Sequence, residues 1–488
     1  MSRFTLSAAL AFVVLAAGAA APAARAQASS SSLDTTQVPF AVQMKPDTFP
    51  NMPALQGFVV GQSGSRWLLL TGRRAGLHAI SNTLTNAFPR SQANDSVYVV
   101  DPSVPQVWSA PVTNLPRSVR DALMVSNAEG YQDGDYLYVV GGYGMDTSTD
   151  SMITFRTVTA VNVPSVIESV VSGTGLAAQS FNQVNNFALN VTGGSLMKLN
   201  GLFYLVMGQR FDGLYSANPA DYDQFVQEYK QSVQVLSITP PPAMTVAILD
   251  TIQQNPNDMS QPFHRRDLIG VGAYAPDGTK RLAVYGGVFV PGQLEAYQFP
   301  VYINAGTPAA GGNPAIPATA APDSTFFQAM SLYDCAVLPL WDQANGRMHT
   351  VLFGGISLYT FNADSATLAP NIELPFIDDV SVITVTASGT TQAAYTWEMP
   401  ARIGSDARFI PDPAVAIDAE TGVVLMDSLS TTQATRVGWI YGGILSDVPI
   451  TTNQLTQTRA TASVYEIWVT PGASTPAIAL PTGSPYTN

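Results

Sequence analysis

One pattern recurs six times along this 488-residue chain and restricts its fold more than any other feature: a short run of β-forming residues that ends in one or two glycines. The copies are Trp67 to Gly72, Tyr136 to Gly142, Leu202 to Gly208, Leu282 to Gly287, His349 to Gly355 and Gly438 to Gly443. Their first glycines at the turn lie 69, 67, 78, 68 and 88 residues apart, and each interval has room for four short strands with their connections. Glycine has a physical reason to stand there. A strand leaving the crowded inner part of a sheet turns where neighbouring backbones come close, and only a residue without Cβ escapes both the clash and the φ penalty.

Further strands fall around each copy. In the first unit Ala54 to Val60 leads in, Ser96 to Asp101 follows the signature, and Pro105 to Trp108 is the fourth strand; the second unit opens with Arg117 to Val125 as its inner strand. The stretches Arg117 to Gly142 and Ser96 to Trp108 resemble the kelch repeat family, in which an inner strand often opens with Arg, the next ends in Gly-Gly, and a Val-Tyr-Val-x-Asp-Pro strand leads to a Trp. The tails Gly76-Leu77-His78, Gly213-Leu214-Tyr215 and Ser357-Leu358-Tyr359 are similar to those of exported bacterial kelch proteins. That resemblance implies an all-β fold: a six-bladed kelch-type β-propeller of four-stranded antiparallel blades, one domain over residues 38–481, between a linker at 27–37 and a tail at 482–488. Val38 to Met44 is expected to complete the last blade and close the ring, with Pro476 to Leu480 as its rival. Asn304 to Thr325, rich in Ala, Pro and Gly, reads as a loop insertion, and Pro219 to Tyr229 as a short helix.

Met1 to Ala26 carries one early cation, Arg3, an apolar run from Leu6 to Ala21, and the small-residue ending Ala24-Arg25-Ala26. This is the pattern of a secretory signal peptide with Gln27 as the mature start, so a secreted or periplasmic location is expected, with no transmembrane segment. Cys335 is the only cysteine, which rules out an intramolecular disulfide and leaves stability to a large core. Twenty-two Lys and Arg face 35 Asp and Glu, a net charge of -13, which disfavours nucleic acid and anionic membranes as partners. A charged fraction of 12 % also argues against a coiled coil or helical bundle.

Asp121, Asp267, Asp334 and Asp412 stand at comparable places before inner strands, and a ring of inner strands would bring them to one mouth of its channel. Such carboxylates either take a cation or polar ligand, or tie neighbouring blades by accepting backbone N–H groups. Arg73, Arg74, Arg210, Arg117, Arg120, Arg265 and Arg266 form a second set, which pairs with those aspartates or presents planar forks to a ligand carboxylate. His78, His264 and His349 occupy different strand positions with no metal-ligand spacing, so no metal and no cofactor are expected. Cys335 near Tyr333 does not reproduce the copper-radical site of galactose oxidase, and Cys335 reads as a buried small hydrophobe. Hydrolase, metalloprotease, phosphate-loop and EF-hand motifs are missing.

The function expected is therefore a non-enzymatic binding module, a monomer, contacting a protein or glycan through Arg73, Arg74, Arg210, Tyr143, Phe211, Tyr215 and Tyr359. A second reading is a sugar-modifying enzyme resembling the kelch mutarotases that interconvert sialic acid anomers, with Asp121, Asp267, Arg117 and Arg265 as its acid–base and carboxylate-binding residues. A third is a structural envelope or matrix component.

Overall fold

Trp67, Leu68, Leu69 and Leu70 are each fully buried, although successive side chains of a strand point to opposite faces. Both faces of this sheet are therefore covered, which explains why the signature strands read as continuous apolar runs and not as alternating ones. The computed structural model describes residues 33–482 apart from 82, 84–86, 216–224, 293–294, 309–313 and 372; the expected signal peptide and its cleavage point lie outside the described residues. No helix among the described residues is long and apolar enough to cross a membrane.

Among the described residues, four separate four-stranded antiparallel sheets follow one another along the chain. The first joins Gln56–Ser63, Arg66–Arg73, Ser96–Asp101 and Gln106–Pro111. The second joins Glu129–Asp133, Tyr136–Val140, Thr157–Asn162 and Phe181–Asn185. The third contains Ser195–Leu199, Leu202–Val206, Ser232–Thr239 and Thr245–Gln253, and the fourth Ile269–Tyr274, Lys280–Tyr285, Val301–Asn304 and Thr319–Pro322. The remaining large strands form a nine-stranded sheet. One part of it is the quartet Ala336–Asp342, Arg347–Phe353, Asp379–Thr386 and Gly389–Glu398, here called the fifth unit. The other part, the sixth unit, is Arg408–Pro411, Thr435–Tyr441, Val464–Ala479 and Thr35–Asp47. Val42 to Asp47 run antiparallel to Val464 to Val469, and Thr35 to Val38 to Thr475 to Ile478. The far end of the same long strand, Ala477 to Ala479, pairs with Ala393 to Tyr395 and so stitches the two units together.

Apolar clusters sit between successive sheets. Leu68 shares one with Leu137, Phe203 one with Tyr138, Val206 one with Leu282, Ile269 one with Leu352, and Phe353 one with Ile440. A further cluster unites the first sheet with the sixth unit, where the rings of Trp67 and Trp439 meet edge to face at 5.2 Å. Face-to-face stacking of small antiparallel sheets in chain order is propeller architecture.

The signature glycines lie where this stacking is tightest. The N–H of Gly142 donates to Val191, Gly208 to Arg265, Gly287 to Leu332, Gly355 to Ile403 and Gly443 to Leu55, each acceptor belonging to the approach to the next inner strand. Gly141, with φ at 65°, would place a Cβ 2.0 Å from the Val191 carbonyl oxygen, closer than any side chain can stand.

Three sequence expectations need correction. Arg117–Leu123 is an α-helix, and the inner strand of the second sheet is Glu129–Asp133. The buried residues Val119, Ala122 and Leu123 fall at i, i+3 and i+4, which is helical spacing. Of Pro219 to Tyr229, read as a short helix, residues 219–224 lie outside the described residues, and Val226–Tyr229 at its end is a strand paired with Gln209–Asp212, where Glu228 reaches Arg210. Within Asn304 to Thr325, Thr319–Pro322 forms the outer strand of the fourth sheet, an edge place where Pro costs no ladder bond.

Candidate functional site

A line of one-residue steps connects the six units at the entrances to their inner strands. The N–H of Asn127 donates to Gly57 (2.9 Å), Gly193 to Asn127 (3.1 Å), Asp267 to Gly193 (2.6 Å), Asp334 to Asp267 (2.8 Å) and Asp406 to Asp334 (3.0 Å). Gly57, Asn127, Gly193, Asp267 and Asp406 all have left-handed backbones, with φ between 50° and 68°. Only Gly and, among L-residues, Asn and Asp visit that region readily, because their short side chains bond locally. The need for a left-handed step therefore also selects which polar side chains surround this point.

Those side chains form one network. Arg408 donates to Asp334 at 2.8 Å, Asn127 to Asp406 at 3.3 Å, and Arg266 Nε stands 3.3 Å from Asp267 Oδ2. Glu129 accepts from the N–H of Gly194 at 2.8 Å. Burial raises the carboxyl pKa throughout: Glu129 is pushed up to about 8, Asp267 and Asp334 are raised, and Asp406 is well above the carboxylate range with Asp334 adding to it. Burial works against the charge of Arg408, but Asp334 and Asp406 outweigh it and hold its pKa up. Arg408 nevertheless keeps 32 % of its side chain exposed and Asp334 15 %, so water reaches the cluster. Glu129, whose raised pKa keeps a proton on it near neutrality, together with the carboxyls, the Asn127 amide and the Arg408 guanidinium, can both donate and accept hydrogen bonds to a polar ligand.

Two of the four aspartates singled out in the sequence, Asp267 and Asp334, meet here. Asp121 does not: it lies on the Arg117–Leu123 helix, bound by Arg120 at 2.8 Å and by the Thr147 hydroxyl at 2.6 Å. Asp412 lies just past the far end of the sixth unit's inner strand, paired with Arg436 at 3.0 Å. Arg117 is exposed on the helix. Arg265 is fully buried, donating to the carbonyls of Pro262 and Gly286 between the rings of Tyr297 and Phe299, and burial lowers its pKa to about 9. Asp121, Asp267, Arg117 and Arg265 therefore serve separate local roles and do not form one acid–base site.

The expected aromatic rim is also rearranged. Tyr143, Phe211 and Tyr359 are 6, 1 and 8 % exposed, and Tyr215 is half-buried, stacked on Phe211 at 3.9 Å and on His78 at 4.6 Å. These rings pack the connections on one another and leave little face for a partner. Arg74 and Arg210 are engaged by Asp95 and Asp212, each at 2.5 Å. Arg73 differs: it is 7 % exposed and lies over the Phe88 ring at 4.3 Å. His78 and His349 are pushed down to about 4 by burial, His264 is lowered by burial and stacks on Tyr229, and no metal-holding group of three ligands occurs among the described residues. Cys335 is buried, which pushes its thiol pKa up.

The sequence reading missed Glu129, Asn127, Asp406 and Arg408. A usable signal was present: a Gly, Asn or Asp two residues before each of several inner strands, as in Asn127-Ala-Glu129 and Asp406-Ala-Arg408. Taking the Arg117 helix for the inner strand displaced that alignment in the second unit.

No protein-family model matches this chain, and no curated protein does. Among solved structures it is similar to one titled "Structure of YjhT", with a TM-score of 0.44 and 10 % sequence identity over 85 % of this chain and 99 % of that one. That likeness is too distant to bear on residues or chemistry.

Proposed function

We propose that the chain is a closed, six-bladed, kelch-type β-propeller, exported from the cell, that acts as a non-enzymatic binding module for a glycan at the mouth lined by Glu129, Asn127, Asp267, Asp334, Asp406 and Arg408. One observation carries the reading: these polar groups come from four units, the second, fourth, fifth and sixth, to a cluster that water reaches, Arg408 being 32 % exposed. Sugar hydroxyls are donors and acceptors at once, and carboxyls, amide and guanidinium in one place offer both complements. Ring closure is supported by the cluster that unites Trp67 of the first sheet with Trp439 of the sixth unit, and by the Gly443 N–H bond to Leu55.

Titration of neutral and acidic oligosaccharides into the mature chain, followed by calorimetry, tests this. A saturable isotherm is expected, weakened at least tenfold in Asp334→Asn and in Arg408→Met. Oligosaccharides that bind both variants as well as the parent chain, or bind none of the three, would overturn it.

A sugar-modifying enzyme is favoured by one specific observation, the raised pKa of Glu129, about 8, which leaves a protonated acid near neutrality beside other carboxyls. Anomeric exchange spectroscopy on free sialic acids separates the two readings. Exchange accelerated by the protein and abolished in Glu129→Gln would replace the binding module with the enzyme.

A further inference from the structure

Arg73 ends the second strand of the first sheet, is buried, and lies with its guanidinium over the ring of Phe88. A buried arginine ordinarily has a carboxylate or several carbonyls at its guanidinium, because an uncompensated charge away from water is costly. Arg265, the other deeply buried arginine of these connections, has its two carbonyl acceptors. Arg73 has no carboxylate or carbonyl acceptor among the described residues; it lies over the face of Phe88 and near Tyr143, and its pKa is lowered to about 10 by burial.

The guanidinium borders a cavity of about 90 Å³ between the first and second units, lined among others by Phe88, Met124, Met145, Met152, Tyr143 and Ser126. Asp121 also lines it, but both its carboxyl oxygens are taken up, one by Arg120 and the other by Thr147. Arg90 at the rim is paired with Asp150. The cavity thus combines a guanidinium without an acceptor among the described residues, the hydroxyls of Ser126, Tyr143 and Thr147, and a largely apolar, partly thioether wall.

We propose that this cavity is a binding site for a short-chain monocarboxylate, its carboxylate bidentate on Arg73 and its alkyl body against Met124, Met145 and Met152. The guanidinium fork matches a planar carboxylate, and methionines adapt to short alkyl chains. The site is separate from the glycan mouth and independent of that reading.

Sodium butanoate is the probe, titrated into the full mature chain against sodium chloride at equal ionic strength and against butanamide, the neutral isostere. A ligand that binds only the folded state raises its melting temperature. A saturable rise with butanoate is expected, flat with butanamide, and lost in Arg73→Met. Should Arg73→Met fail to fold, Met145→Trp, which fills the cavity from its half-buried side, is expected to abolish the same rise. An equal rise with chloride or butanamide, persistence of the rise in either variant, or no rise at all would each overturn the proposal. Asp334→Asn keeps the butanoate response and Arg73→Met keeps glycan binding, so failure at one site is distinguishable from failure at the other.

Discussion

Glu129 is 5 % exposed and meets one backbone donor, the N–H of Gly194. Its folded pKa of about 8, against 4.5 for the ordinary group, means that the folded chain holds a proton the unfolded chain has already released. Stability from this group is complete below the unfolded value and is lost as pH rises through the folded one. Asp379, pushed up to about 7 by burial with Asp378 and Glu398, acts in the same direction. His78 and His349, lowered to about 4, oppose them, but only between about pH 4 and their ordinary 6.5. Between pH 6.5 and 8 the carboxyls act alone, so the chain is expected to lose stability as pH rises there, Glu129 accounting for about 2 kcal/mol. Denaturant titrations across that range check this, and Glu129→Gln, which keeps the bond from Gly194, flattens the slope. At Gly141 the close carbonyl of Val191 and the left-handed φ act together. Gly141→Ala is expected to destabilise by about 3 kcal/mol, read as a lower urea midpoint at unchanged m-value.

The N-terminal strand shows what one element contributes. Thr35–Asp47 covers the long strand Val464–Ala479, and its inward residues Val38, Phe40 and Val42 are 3, 0 and 5 % exposed. Burying three such side chains contributes about 6 kcal/mol by area, before any ladder bonds. A chain that begins at Thr48 is therefore expected to lose most of its stability and to present Val464–Ala479 as an open edge. Size-exclusion chromatography checks this, with association expected for the truncated form and not for the full chain. The Arg117–Leu123 helix has the opposite character. It buries Val119, Ala122 and Leu123 on one side and leaves Arg117 in water, so Arg117→Ala is expected to change stability by less than about 0.5 kcal/mol.

At the scale of the molecule, the contact between the first sheet and the sixth unit matters most, because its partners are far apart in sequence. Trp67 and Trp439 are 0 and 2 % exposed within the cluster that also holds Phe58, Ile410 and Tyr441. Trp439→Ala is expected to cost 3–5 kcal/mol or about that, and to lower one cooperative transition followed by both fluorescence and far-UV circular dichroism. Separation into two transitions would mean that the units unfold independently and that this seam does not couple them. What the residues alone determined about this protein was local and periodic: strands ending at glycines, sheets buried on both faces, and an all-β chain with no disulfide. These follow from backbone sterics and side-chain polarity, which each short segment carries with it. The Arg117 segment escaped because so short a stretch with a few apolar residues can be a strand or a helix of about two turns until its neighbours choose. Only the tertiary structure decided that Asp267 and Asp334 join Glu129, Asp406 and Arg408 while Asp121 and Asp412 do not, and that Tyr143 and Phe211 face inward. Which polar groups meet depends on the stagger between sheets about 70 residues apart in sequence, set by packing that no single repeat contains.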